Sequence, residues 1–116
     1  NYIKTTTKYA ELTTLLDEIK KLQNTEFAES LPRIIDNPLI QQLKQEKSKL
    51  EVEMAKVSKK YKPMHPVIVN IQSQIDNIKE RLHIETEKII KSIEIEARIT
   101  EANIRTIENN SAKLKQ

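Results

Sequence analysis

Apolar residues recur at helical spacing along most of the chain. In the first stretch, steps of three and four residues place the apolar side chains on one face of a helix, and charged residues fill the opposite side. The apolar positions are Leu12, Leu15, Leu16, Ile19 and Leu22. This pattern predicts a first helix over about residues 2–29.

The segment "SLPRIIDNP" interrupts the pattern. Proline disfavours a helical conformation in the residue before it, so Pro32 and Pro38 both break the chain into segments. Asn37 is a favourable N-cap residue, and Pro38 directly after it suits the first helical position. We therefore predict a second helix over about 38–60. Its buried positions are predicted to be Leu39, Leu43, Leu50, Met54 and Val57.

A third helical pattern runs without a breaker over about 66–115. Its apolar positions again follow steps close to three and four, a spacing typical of coiled coils. They are Ile71, Ile75, Ile78, Leu82, Ile89, Ile93, Ala97, Ile104, Ile107 and Leu114. Two successive steps of four between Ile89 and Ala97 predict a stutter, which locally relaxes a left-handed supercoil.

Composition supports an all-α fold. The 116 residues include no Gly, Trp or Cys, and 32% of them are charged. Tight turns with positive φ are difficult without Gly, whereas the many Glu, Lys, Leu and Ile residues favour helices. The predicted fold is an elongated antiparallel helical hairpin or coiled coil, in which the two shorter helices pack against the long one. We treat residues 1–116 as a single helical fragment of a larger protein.

The side chains with catalytic or metal-binding potential are few. His65 and His83 are the only histidines, they lie 18 residues apart, and no Cys or tight acidic cluster accompanies them. A metal site needs three or four converging ligands. No glycine-rich phosphate loop or nucleophile–base pattern is present either. We therefore expect no catalytic residue, no metal and no cofactor in this segment.

Charge and hydropathy limit the partners further. The net charge of +3 is spread evenly, without the concentrated basic stripe that nucleic-acid binding requires. No apolar run approaches the ~20 residues of a membrane span, so we expect the fragment itself to be soluble. Four basic residues cluster near the predicted end of the second helix: Lys56, Lys59, Lys60 and Lys62. They either complement the helix dipole or attract an anionic partner such as an acidic polymer or a lipid phosphate.

The hexapeptide Tyr61–Pro66, "YKPMHP", holds two of the four prolines and one of the histidines. Pro63 and Pro66 disfavour helix at the residues before them, and Pro66 presets φ for the next helix. Tyr61 can lay its ring over the end of the second helix. Tyr61, Pro63, His65 and Pro66 are therefore predicted to form a structural turn that reverses the chain.

Residues 31–110 resemble the extracytoplasmic coiled-coil region of the polysaccharide co-polymerases, the chain-length determinants of exopolysaccharide and capsule export, and residues 1–30 match that region only by position. That family shows an LP-x-x-x-x-[NS]-x-x-[IV]-x-x-L entry, a charged helix, and then Y-x-P-x-H-P before another long helix. The matching positions here are Leu31, Pro32, Asn37, Ile40, Leu43, Tyr61, Pro63, His65 and Pro66. Many relatives have Gly after the Tyr, where this chain has Lys62.

The resemblance implies a non-enzymatic, periplasmic segment of a protein anchored in the bacterial inner membrane by helices outside this fragment. It implies a homo-oligomer that helps to control polymer length and export, together with a polysaccharide polymerase and outer-membrane export proteins. Some family members carry or pair with a tyrosine autokinase, whose Walker motifs do not occur in these 116 residues.

Other interpretations of the same helical pattern stay open. One is the helical hairpin of a periplasmic adaptor in an efflux or secretion system. Another is a generic cytoplasmic coiled-coil tether, or a basic coiled coil that binds nucleic acid. Membrane spans flanking this region would favour the co-polymerase, whereas a flanking lipoyl-like or β-barrel domain would favour the adaptor.

Overall fold

The computed structural model of the chain describes residues 1–22 and 30–115, and all regular elements in this part are helices. They are α1 (Tyr2–Leu22), α2 (Pro32–Ile35), α3 (Pro38–Val57) and α4 (Pro66–Lys115). The all-α fold, with one long helix packed against shorter ones, is therefore confirmed. The beginnings of α3 and α4 coincide with the prediction because each is fixed by a proline at the first helical position.

Two observations refine the predicted boundaries. The second predicted helix ends at Val57, and residues 58–60 already belong to the turn. The segment predicted as a break contains the short helix α2, whose Ile34 is fully buried. The predicted continuation of the first helix to residue 29 lies outside the described residues.

The described chain divides into two compact units. One comprises Pro32–Glu87, and the other comprises Asn1–Leu31 together with Lys88–Gln116. The continuous helix α4 contributes its first part to the former unit and the rest to the latter. Each unit thus combines a stretch of α4 with the shorter helices of its own segment: α2 and α3 in the former unit, and α1 in the latter.

In the unit of residues 32–87, α2 and α3 supply the buried side chains Ile34, Ile40 and Leu43, each at most 1% exposed. The first part of α4 supplies a row of apolar side chains at steps of three and four: Ile68, Ile71, Ile75, Ile78 and Leu82. Burying a side chain of this size contributes roughly 1.5–3 kcal/mol. The hydrophobic effect of these few residues holds α3 against α4.

The other unit pairs α1 with the second half of α4. Leu12 and Ile19 of α1 are buried, as are Ile90, Ile93 and Ala97 of α4. Two contacts fix an antiparallel orientation: Tyr2 Oη donates a hydrogen bond to Glu108 at 3.2 Å, and Lys8 Nζ lies 3.3 Å from Glu96. The two helices therefore run in opposite directions, so that a residue further along α1 contacts a residue earlier in α4.

The buried row of α4 slips earlier than the sequence predicts. Successive steps of four run from Ile78 through Leu82 and Thr86 to Ile90, and the spacing of three and four then resumes. Ile89, predicted to be buried, is only half-buried. The stutter lies earlier than predicted because one buried position is occupied by Thr86. The prediction used apolar residues only and therefore did not include this polar residue.

Two threonines are buried in α4 and differ in how their hydroxyls are satisfied. Thr100 Oγ1 donates a hydrogen bond to the carbonyl oxygen of Glu96 at 2.8 Å, the usual solution for a threonine inside a helix. Thr86 Oγ1 has no hydrogen-bond partner, although Thr86 is only 5% exposed. An unpaired buried hydroxyl costs stability.

Candidate functional site

The turn between α3 and α4 is closed mainly by backbone hydrogen bonds. At the end of α3, Ser58 N donates to the carbonyl of Met54 at 2.9 Å, and Tyr61 N donates to the carbonyl of Val57 at 2.9 Å. Further along, His65 N donates to the carbonyl of Lys62 at 2.9 Å. The chain therefore reverses through a tight, internally bonded loop over residues 58–65.

His65 begins α4 with its side chain. Its Nδ1 accepts a hydrogen bond from Val67 N at 3.1 Å, and its carbonyl accepts the first helical bond, from Val69 N, at 3.0 Å. The imidazole therefore acts as an N-cap acceptor, the role that Asn, Asp and Ser usually fill. Because Nδ1 accepts, the proton of the neutral ring is on Nε2. Pro66 follows at the first helical position, where a missing N–H costs nothing.

Tyr61 stacks on the same imidazole. The centroids of the Tyr61 and His65 rings are 4.1 Å apart, and their planes differ by 26°. The stack joins the end of the α3 segment to the start of α4, and it holds the imidazole in the orientation that the N-cap requires. The sequence suggested that Tyr61 could cover the end of the second helix, whereas its ring contact is with His65.

The start of α3 is built in a parallel way. Asn37 has φ −71° and ψ 124°, and its Oδ1 accepts hydrogen bonds from Leu39 N at 2.9 Å and Ile40 N at 3.1 Å. Pro38 occupies the first helical position. Asn37 and Pro38 thus start α3 as His65 and Pro66 start α4, and the predicted helix start is found where the sequence indicated it.

The four lysines of the predicted anion-attracting cluster are all exposed, and we call them the basic tip: Lys56, Lys59, Lys60 and Lys62. Only Lys56 lies in the last turn of α3. Helix carbonyls at this end already accept backbone bonds, since Lys59 N donates to the carbonyl of Lys56 at 3.3 Å and Lys60 N to that of Val57 at 3.0 Å. Lys56 is thus placed to complement the helix dipole, and Lys59, Lys60 and Lys62 lie beyond the helix end.

A groove of about 440 Å³ lies beside this turn. Its walls include Met54 from α3, Pro63 from the turn, and Ile68 and Val69 from α4, with Asp76 at its edge. Its polar lining consists of Gln72, Ser73 and Asp76, and Gln72 Nε2 donates a hydrogen bond to Asp76 at 2.9 Å. The groove thus combines an apolar wall next to the turn with a polar wall further along α4.

The other unit offers a smaller groove of about 280 Å³ between α1 and α4. Its walls carry both signs of charge, with Lys20 and Arg98 near Glu94 and Glu101, and Arg105 pairs with Glu101 at 2.7 Å. At the end of the pair of helices, the hydrogen bond to Glu108 raises the pKa of Tyr2, and the negative charge of Glu108 and slight burial add to the effect. These are surface contacts that support the helix pair.

The remaining candidate side chains are not gathered into a site. His83 is exposed on α4, remote in sequence from His65. Within residues 1–22 and 30–115, no group of three or more His, Cys, Asp or Glu side chains could hold a metal ion. In the same part of the chain, none of the helices combines the length and apolar character needed to cross a bilayer.

Sequence reasoning located the turn but missed how its side chains interact. The N-cap role of His65 could have been suggested by its position immediately before a helix-initiating proline, where N-cap residues occur. The stack with Tyr61 has no sequence signal beyond the spacing of four residues with Pro63 between them.

Comparison of this chain with protein-family models, curated proteins and solved structures finds no match. The resemblance to the polysaccharide co-polymerases therefore remains a prediction that rests on the sequence motifs.

Proposed function

We propose that this chain is a non-catalytic periplasmic helical segment of a polysaccharide co-polymerase, which oligomerises and helps to control the length and export of an exopolysaccharide or capsule polymer. The observation that carries the proposal is the Y-x-P-x-H-P motif. Three of its four defining residues act directly at the start of α4: Tyr61 stacks on His65, His65 caps the helix, and Pro66 occupies the first helical position. Pro63 disfavours a helical conformation at Lys62, which already lies beyond the end of α3 at Val57.

The turn supports this function because a co-polymerase segment would act by holding its surfaces in place and would not catalyse a reaction. A co-polymerase segment has to hold surfaces at fixed places relative to its neighbours in an assembly. A reversal that is closed by backbone bonds, a side-chain cap and a ring stack has little conformational freedom. The motif residues therefore make the reversal of the chain rigid. A rigid reversal would keep the surfaces of the segment at fixed positions in an assembly.

Exposed apolar residues on α4 support the assembly part of the proposal. Ile95 and Ile99 lie four residues apart, hence on one face, and are 45% and 58% exposed. A neighbouring protomer could bury this face. Sedimentation velocity of the 116-residue chain tests it: Ile99→Glu should weaken self-association, whereas Val52→Glu, at a similarly exposed position on α3, should not. A chain that stays monomeric at high concentration would contradict self-association through this segment.

The main experiment is genetic and uses the full-length protein in its host. Deletion of the gene should change the length distribution of a surface polysaccharide on gels, and a full-length Tyr61→Ala, His65→Ala double variant should reproduce part of that change. Val52→Ala, an exposed substitution on α3, is the matched control. A polymer distribution that is unchanged by the deletion would contradict the proposal. A defect in efflux or secretion instead would favour the adaptor hairpin.

Location can be tested separately because the segment contains no Cys. A Ser48→Cys variant carries a thiol at an exposed position of α3. In spheroplasts with an intact inner membrane, a membrane-impermeant maleimide should label this thiol. Labelling only after lysis would place the segment in the cytoplasm and favour the coiled-coil tether.

A further inference from the structure

The loop end of the unit formed by residues 32–87 carries charge of one sign only. The basic tip contributes four lysines, and no acidic residue occurs between Glu53 and Asp76. Elsewhere the chain intersperses acids and bases, as in the ion pair between Lys47 and Glu51. Lys59, Lys60 and Lys62 lie beyond the end of α3 and have no acidic residue within four positions in sequence, so their charge is not neutralised by neighbours in sequence.

The same loop end presents an apolar apex. Met64 lies in the middle of the turn and is 85% exposed, the largest value among the exposed large apolar residues of the described chain. Val69, near the start of α4, is 49% exposed. Met64 is thus exposed two residues after Lys62, in a loop that is closed by backbone bonds and by the stack of Tyr61 on His65.

We propose that the basic tip, with Met64 at its apex, docks on the surface of an anionic lipid bilayer. Lysines attract the negative leaflet, and an apolar side chain at the same point enters the boundary between headgroups and acyl chains. The apolar apex decides between partners, because an acidic polymer or a nucleic acid in water would use the lysines and gain nothing from a projecting methionine. This inference does not depend on the function proposed above.

The size of the effect follows from the number of charges. Each basic residue close to an anionic leaflet contributes about fivefold to the binding constant, so four contribute on the order of 10²–10³-fold. Burying the apex side chain adds about tenfold. Binding of this strength attaches the chain reversibly to the membrane surface. It weakens as the salt concentration rises, because salt screens the charges of the exposed lysines.

The first experiment is co-sedimentation of the 116-residue chain with vesicles of phosphatidylcholine alone or mixed with phosphatidylglycerol. Binding should require the anionic lipid. Replacing all four lysines of the basic tip by Gln should lower binding on the order of 10²–10³-fold, and Met64→Ser should lower it about tenfold. The matched control replaces four exposed lysines outside the tip by Gln and should retain most of the binding: Lys20, Lys21, Lys79 and Lys91. Circular dichroism of each variant verifies that helicity is kept, since Gln is a good helix former.

The second experiment uses the absence of Trp from the sequence. In Met64→Trp the single indole reports on the apex, and its emission should shift to shorter wavelength when anionic vesicles are added, since Trp favours the membrane interface. Ile99→Trp places the same reporter on an exposed position of the other unit and should not shift.

The outcomes separate the alternatives. Anionic-lipid-dependent binding that is lost in the tip variant and accompanied by the Met64→Trp shift supports the proposal. Equal losses in the tip and control variants would overturn it, because the attraction would then come from net charge. Binding of a soluble polyanion such as heparin without binding of vesicles would overturn it in favour of an acidic polymer, and so would vesicle binding with an unchanged Met64→Trp emission.

Discussion

His65 performs two separable tasks in the turn, so substitutions at this position can measure each of them. His65→Ala removes the acceptor for Val67 N and the partner of the Tyr61 ring. Loss of an N-cap costs about 1 kcal/mol, and loss of a stacked pair costs about 0.5–1.5 kcal/mol. Both groups are partly solvated, so we expect the lower end of the sum, a decrease of about 1.5 kcal/mol in the free energy of unfolding.

Two further variants separate the contributions of the cap and of the ring stack to this loss of stability. His65→Asn keeps an acceptor near the position of Nδ1 and should lose only the stack, about 0.5–1 kcal/mol. Tyr61→Leu keeps the cap and should lose a similar amount. Urea unfolding followed by far-UV circular dichroism measures all of them. With a urea m-value of about 2 kcal/mol/M, His65→Ala should lower the midpoint by about 0.7 M.

The double-mutant cycle between positions 61 and 65 provides the decisive comparison. If the rings interact as the structure indicates, Tyr61→Leu in the His65→Ala background should cost about 0.5–1 kcal/mol less than in the original chain. Additive losses would refute the stack as a stabilising contact. Equal losses for His65→Ala and His65→Asn would refute the N-cap role.

Three other predictions follow from single side chains. Asn37→Ala should lower the free energy of unfolding by about 1 kcal/mol in urea melts, because two backbone N–H groups lose their acceptor, whereas Asn37→Ser should be close to neutral. Thr86→Val should raise stability by about 1 kcal/mol, since it removes a buried hydroxyl without a partner, and Thr100→Val, which loses a satisfied hydroxyl, should show no such gain. The pKa of Tyr2 is raised by Glu108, so this contact stabilises the fold below the ordinary tyrosine pKa of about 10 and is lost as pH rises through the higher, folded-state pKa. Ultraviolet titration of a chain with Tyr2 as the sole tyrosine should show the pKa returning toward its ordinary value in Glu108→Ala.

The same sites connect the proposals on function and on membrane contact. A membrane-facing loop needs its apex held outward, and the ring stack and cap provide that constraint. His65→Ala should therefore loosen the apex as well as destabilise the chain, whereas Met64→Ser should change membrane binding without changing stability. Measuring both properties on both variants distinguishes a loss of rigidity from a loss of contact.

The sequence by itself determined where helices begin. Pro38 and Pro66 fix the first residues of α3 and α4 because a proline has no N–H to lose at that position and restricts the residue before it. The spacing of apolar residues determined that these segments are helices. Of the positions that it predicted as buried, Leu12 and Ile19 of α1 and Leu43 of α3 are buried, whereas Ile40 of α3 is buried without having been predicted. These are local effects, set by neighbours within one or two helical turns, and they can be read from a single segment.

The tertiary structure determined the features that depend on contacts between two segments of the chain. The burial of Thr86 and the earlier slip of the buried row in α4 follow from packing between helices. The pairing of Tyr61 with His65 follows from the path of the turn between them. A sequence pattern predicts burial from the type of residue, whereas the packed structure buries whichever residue occupies a contact position. A threonine at such a position is therefore buried, and a more apolar residue near it is not. For the same reason "YKPMHP" could be predicted from the sequence as a turn, while its histidine cap, its ring stack and its exposed methionine required the three-dimensional arrangement.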